Sequence, residues 1–389
     1  MRTVDQIIDG CEVLYEDLDF TAAREWKDAE EGRKVIGYMP VYVPREIIHA
    51  GGMLPLGILG GGDNMEVIHG DAYYQSYICR IPRSTVELAV TGRLDFVDGM
   101  LFPSICDVIR NLSGMWKMML PDVYVRYFDV PQNFQSDVGG TYYQAELNEL
   151  KAGLEEVAGR KITDDAIRHS IGVFNENRNA VNRVYDYRAG APWKAPAREV
   201  YLLMRAGMVL PVEEHTQLID EYLEAAEVAD RPMRDNCRVI LQGSFCEQPP
   251  LNLIKSIELA GCYIVDDDYM LVNRWLLQDV PTDGDPIANL AEAFIKHSVE
   301  TAAKYEPDGC KKGKYLVDAC KDRAAEGVIF AAPSFCDPAL LDRPMLANAL
   351  SKADVPHISF KYAENSGQMQ PIREQAGTFA DTIKLWSEA

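Results

Sequence analysis

The chain reads as an α/β protein: two related Rossmann-like lobes, each built on a four-stranded parallel sheet, plus a helical region between them. Three observations carry this reading. Short apolar runs alternate with amphipathic helical stretches in residues 1–140 and again in 231–389, the pattern of a parallel sheet covered on both faces. Residues 141–230 lack such runs and read as long helices. Finally, Pro103-Ser104-Ile105-Cys106-Asp107 recurs as Pro333-Ser334-Phe335-Cys336-Asp337, after the third strand of each half.

The first lobe opens on Thr3-x-x-Gln6, a capping box, and a helix with apolar positions Val4, Ile7, Ile8, Cys11, Leu14 and Leu18. A polar helix from Thr21 stops at Gly32. Residues 35–39 read as a strand, Pro44 starts a helix through Glu46, Ile47, Ile48 and Ala50, and 54–59 read as a second strand. A helix over 84–91, a buried strand over 96–102, a helix over 107–119 and a strand over 123–128 complete this lobe. The helical region, 141–230, is interrupted by Ala-Gly-Ala-Pro-Trp-Lys-Ala-Pro at 189–196. In the second lobe, residues 239–241, 263–265, 328–332 and 357–360 read as strands and 368–386 as a closing helix.

A formal net charge of -21 argues against nucleic acid and anionic membranes as partners, since both need clustered Lys and Arg. No apolar run reaches the ~18 residues of a membrane span, and the N-terminus lacks a signal-peptide layout. A cytoplasmic location is expected. Nine cysteines, scattered and without any Cys-x-x-Cys, point to thiols or metal ligands rather than disulfides, and exclude a zinc ribbon or bacterial-ferredoxin pattern.

In both copies of the repeated pattern, Ser followed three residues later by Asp reads as a capping box. The Cys then falls in the first helical turn, where exposed N–H groups and the helix dipole stabilise a thiolate. Gly243-Ser244-Phe245-Cys246-Glu247 is a third version. Thiolates at strand C-termini lie on the edge where open α/β sheets place ligands, and they suit an iron–sulfur or other soft metal centre. A cubane needs three. Cys246, with the better local context, and Cys79, in Tyr77-Ile78-Cys79-Arg80-Ile81-Pro82, compete for the third place. Cys11, Cys262, Cys310 and Cys320 read as packing residues.

Glu46 and His49, three apart on one helix face, form a candidate acid–base pair. The alternative is a dipole-favoured carboxylate beside a surface or capping histidine. Gly60-Gly61-Gly62-Asp63-Asn64 lacks the Lys-Ser/Thr of a P-loop and reads as a turn, and no ATP signature occurs. Asp266-Asp267-Asp268 reads as a solvated acidic turn, and Arg183, Arg188, Lys194 and Arg198 as a solvated basic face.

The segment Tyr42-Val43-Pro44-Arg45-Glu46-Ile47-Ile48-His49-Ala50-Gly51-Gly52-Met53-Leu54-Pro55 resembles the N-terminal signature of the 2-hydroxyacyl-CoA dehydratase / benzoyl-CoA reductase family. The positions of Cys79, Cys106 and Cys336 match that family's cluster cysteines, and the resemblance spans essentially the whole chain. It implies one [4Fe–4S] cluster per chain on Cys79, Cys106 and Cys336, with one iron lacking a cysteine and Cys246 outside the ligand set. It implies an acid–base role for Glu46, although Arg45 is acidic in many relatives. Its implied partners are a larger homologous cluster-carrying subunit, two ATPase/activator subunits that bind ATP-Mg, and ferredoxin as electron donor. The expected activity, within a heterotetramer, is ATP-driven reduction of benzoyl-CoA to cyclohexa-1,5-diene-1-carbonyl-CoA in anaerobic aromatic degradation. A 2-hydroxyacyl-CoA dehydratase subunit and an electron-relay subunit without substrate contact are the alternatives.

Overall fold

The computed structural model describes residues 2–62, 65–243, 249–301, 304–305, 311–362 and 369–387, apart from the side chains of 386 and 387. The first sheet contains β1 (Lys34–Tyr38), β2 (Met53–Gly57), β3 (Gly99–Pro103) and β4 (Tyr124–Phe128), all parallel in the order β2-β1-β3-β4. The second contains β5 (Cys237–Gln242), β6 (Cys262–Asp267), β7 (Gly327–Pro333) and β8 (His357–Tyr362), all parallel in the equivalent order β6-β5-β7-β8. Two four-stranded parallel sheets are what the alternating pattern requires.

The internal repeat is structural as well as textual. Pro103 lies opposite Phe128 and Pro333 opposite Tyr362. One residue on, the amides of Ser104 and Ser334 donate to the carbonyls of Phe128 and Tyr362, each at 2.9 Å. The two cysteine copies thus leave equivalent points of their sheets. The third version follows β5, the counterpart of β1, and its residues 244–248, including Cys246, lie outside the described residues.

The capping box of α1 (Val4–Glu16) forms as read: Thr3 Oγ1 accepts from the Gln6 amide at 3.3 Å, and Gln6 Oε1 from the Thr3 amide at 3.0 Å. Helix α3 (Arg45–Ala50) starts after Pro44. Helix α4 (Arg80–Val90) begins four residues earlier than its apolar periodicity suggests. Pro82 falls in its first turn, where a missing N–H costs nothing.

The helical region holds α6 (Thr141–Ala158), α7 (Asp164–Gly190), α8 (Ala197–Ala206) and α9 (Val212–Val228). Helix α7 packs against α3 on one side and β6 on the other, so it bridges the two lobes. Its C-terminal part corrects the reading of the charged turns. Arg188 is fully buried and donates to Asp267 at 2.7 Å, while Asp266 accepts from Arg274 at 2.9 Å and Arg323 at 3.1 Å. Asp266, Asp267 and Arg188 are an internal ionic network, because α7 packs on β6 and charges removed from water must be paired, while buried Asp268 accepts instead from Gln242 and the Gly243 amide. Arg183, Lys194 and Arg198 pair with Asp220, Glu227 and Glu12.

The lobes meet at an aromatic cluster around Phe294, on α12 (Pro286–His297). Its ring centroid lies 4.7 Å from Tyr143, 5.4 Å from Tyr42, 5.9 Å from Phe134 and 6.0 Å from Trp275. The Tyr42 hydroxyl also bonds the hydroxyl of Thr301. Val41 and Tyr42 hold φ values of 74° and 61°, a costly backbone for buried L-residues that persists where the surroundings over-determine it. Phe294→Ala is expected to cost about 3–5 kcal/mol in denaturant unfolding. A loss below about 1 kcal/mol would mean that the lobes are held elsewhere.

Candidate metal centre

Each of Cys79, Cys106 and Cys336 is the residue immediately before a helix: α4, α5 (Asp107–Met119) and α14 (Asp337–Lys352). The two serine capping boxes do not form. Ser104 Oγ accepts from the Val130 amide at 2.9 Å, and Ser334 Oγ donates to the Tyr362 carbonyl at 3.0 Å. Both serines therefore tie their turns to the neighbouring strand, and the helices open two residues later, with the cysteine at the N-cap and Asp107 or Asp337 at the first position. Both cysteines still sit at helix N-termini, by a different register from the one the pattern suggests.

Cys106 shows the balance of forces. Burial pushes its thiol up, while the Val108 and Ile109 amides face the sulfur and favour the thiolate without reaching normal hydrogen-bond geometry. Burial wins, and the nearby charges of Cys336 and Asp107 act in the same direction. A bound cation would reverse that balance, since a coordinated thiol is deprotonated. Cys106 and Cys336 lie near enough for charge on one to act on the other. The phenol of Tyr74 feels charge on both Cys79 and Cys106.

Among the described residues, no three His, Cys, Asp or Glu side chains converge as a single metal ion would require. A cubane presents iron at separate corners, so ligands from three helices need not converge on one point. Three cysteines at the openings of three helices fit such a group in donor chemistry. A second sign of fit is the Tyr74 hydroxyl, which is buried and has no hydrogen-bond partner among the described residues. Cys11 and Cys262 are buried, with thiols pushed by burial to about 12, and Cys320 likewise to about 11; these are the packing residues expected. Cys310 lies outside the described residues.

Sequence reasoning missed the residue that shapes the approach to Cys79. Glu87, 3% exposed, accepts from the amides of Ile68 at 2.9 Å, His69 at 2.6 Å and Gly70 at 2.8 Å, and meets His69 Nδ1 at 2.9 Å. Burial alone would raise its carboxyl; these four donors outweigh it and hold the carboxyl below its ordinary range. A Glu within an amphipathic helix carries no sequence signal of that task. The Gly-rich segment also acts locally: Gly60 has φ 71°, and a Cβ there would run into Ser84 Oγ on α4.

Glu46 and His49 share α3 but point to different partners. The Glu46 carboxylate is buried and pairs with Arg178 at 3.0 Å, beside Arg45, which donates to Asn273 at 3.1 Å. Ser170 gives its proton to the Glu46 carbonyl at 2.8 Å, so His49 Nδ1, 2.9 Å from Ser170 Oγ, must be the donor in that contact. His49 Nε2 faces Glu213 at 3.1 Å on the open side of the helix.

Residues 40–383 match the family model described as 2-hydroxyglutaryl-CoA dehydratase, D-component. The chain is 72% identical over 387 residues to a benzoyl-CoA reductase subunit of Thauera aromatica, covering 100% of both proteins. It is 29% identical to the beta subunit of (R)-2-hydroxyglutaryl-CoA dehydratase of Acidaminococcus fermentans, and 27% to the (R)-phenyllactyl-CoA dehydratase beta subunit of Clostridium sporogenes. Each of these two comparisons covers 91% of the chain and 93% of the relative. No helix among the described residues is long and apolar enough to cross a membrane.

Two substitutions test the scaffold. Glu87→Gln should destabilise by about 2 kcal/mol in denaturant unfolding, because an amide cannot accept all four bonds. The Glu87 carboxyl is depressed in the folded state, so its contribution is complete above the unfolded value near 4.5 and fades as pH falls through the lower folded value. The gap between wild type and variant should therefore narrow in acid. Arg178→Met, which strands the Glu46 charge, should cost about 3–5 kcal/mol; full stability in that variant would show that Glu46 is not ionised there.

Proposed function

Because the chain belongs to the 2-hydroxyglutaryl-CoA dehydratase D-component family, we propose that it is the smaller cluster-carrying subunit of an ATP-dependent benzoyl-CoA reductase. The observation that carries this choice within the family is the contrast in identity: 72% end to end with a benzoyl-CoA reductase subunit, against 27–29% with dehydratase beta subunits. The protein works in the cytoplasm with a larger homologous subunit, two ATP-hydrolysing activator subunits and ferredoxin.

Cys79, Cys106 and Cys336 hold one [4Fe–4S] cluster, which supplies one-electron transfer at low potential. The chain's own residues do the rest. The three helix openings offset the charge of the thiolates. The turn bound by Glu87 carries Tyr74 and Cys79 into place and closes that side against water. The lock around Phe294 fixes the distance between the ligands of the two lobes. Glu46 and His49 are the proton-handling residues of this reading, each in its own setting: His49 faces Glu213 on the open side of α3, and the Glu46 carboxylate is buried against Arg178.

Purification without oxygen, together with the companion subunits, should yield about four irons per chain. Cys79→Ala, Cys106→Ala and Cys336→Ala should each lose that iron, while Cys246→Ala and Cys11→Ala keep it. Loss in Cys246→Ala with retention in Cys79→Ala would overturn the ligand set. With ferredoxin and ATP, benzoyl-CoA should consume electrons in proportion to product. Loss of water from a 2-hydroxyacyl-CoA without net electron consumption would instead make the chain a dehydratase subunit.

A further inference from the structure

Tyr74 lies five residues before Cys79, in the turn that Glu87 gathers. Its hydroxyl is buried, has no hydrogen-bond partner among the described residues, and sits where charge on both Cys79 and Cys106 acts on it. A buried hydroxyl without an acceptor costs about 1–3 kcal/mol, and a phenylalanine would fill the same space without that cost. The ring already packs against the main apolar core. The groups whose charge acts on it are Cys79 and Cys106, so sulfur of the centre is the acceptor chemistry at hand.

We propose that the Tyr74 hydroxyl donates a hydrogen bond to a thiolate or sulfide sulfur of the cluster between Cys79 and Cys106, and thereby sets its reduction potential. The inference rests on the cluster reading above. A donor aimed at a sulfur stabilises the reduced, more negative state more than the oxidised one, because charge-assisted hydrogen bonds are the stronger ones. Tyr74 is thus a positioning residue that acts through the cluster. Its neighbour Tyr73 is 46% exposed and serves as the control.

The test compares wild type, Tyr74→Phe and Tyr73→Phe in the complex purified without oxygen. Iron content, the midpoint potential and the hydrogen couplings of the reduced cluster after exchange into D2O are measured in each. The expected result for Tyr74→Phe is unchanged iron, a more negative midpoint with about fivefold fewer reduced clusters at fixed solution potential, and one exchangeable coupling lost. Tyr73→Phe should match wild type in all three. An unchanged potential, or a shift without loss of a coupling, overturns the proposal and leaves the cluster reading intact. So does loss of iron in Tyr74→Phe, which would make the hydroxyl a ligand. Absence of iron from the wild type overturns the cluster reading itself.

Discussion

The aromatic contact around Phe294 is the interaction on which the centre depends. Cys79 and Cys106 come from the first lobe and Cys336 from the second, so a ligand set drawn from them would require the two sheets to hold one relative position. Phe294 meets Tyr42 and Phe134 from the first lobe, Tyr143 from the helical region and Trp275 from the second lobe. Aromatic pairs have preferred geometries as well as large buried area, which makes such a junction directional. The Tyr42–Thr301 contact and the bridging helix α7 resist sliding in the same plane.

Charge burial follows from that junction. Packing α7 on β6 removes Arg188, Asp266 and Asp267 from water, and the same helix confines Glu46 with Arg178. Such networks add little net stability over an apolar packing, yet removing one member strands the other. They therefore act on register: α7 can sit in one place only. The strained backbone at Val41–Tyr42 belongs to the same compromise, because Tyr42 must leave β1 and reach the second lobe within a few residues.

At the centre itself, opposing terms of similar size meet. Helix openings favour thiolates, burial and mutual repulsion disfavour them, and without a cation the second group wins at Cys106. A positive occupant would tip that balance toward the thiolate. The same logic sets Cys11, Cys237, Cys262 and Cys320 apart: each is buried, and burial raises each thiol.

The order of elements, two four-stranded parallel sheets and the repeat that ends in Cys106 and Cys336 were all legible in the residues, because strand and helix periods and a duplicated turn are local signals. The Thr3–Gln6 cap was legible for the same reason. Three things were not. The serines of the repeat bind the adjacent strand instead of capping, since β4 and β8 offer partners that no local pattern contains. Cys79 sits at a helix N-cap because its helix starts early, across Pro82. Glu87, Tyr74 and the Arg188 network owe their roles to neighbours distant in the chain. Local sequence determined which residues could open helices and carry thiols. The packing of the two lobes through α7 and the Phe294 cluster decided which side chains are buried and paired, because burial and pairing are properties of the assembled chain.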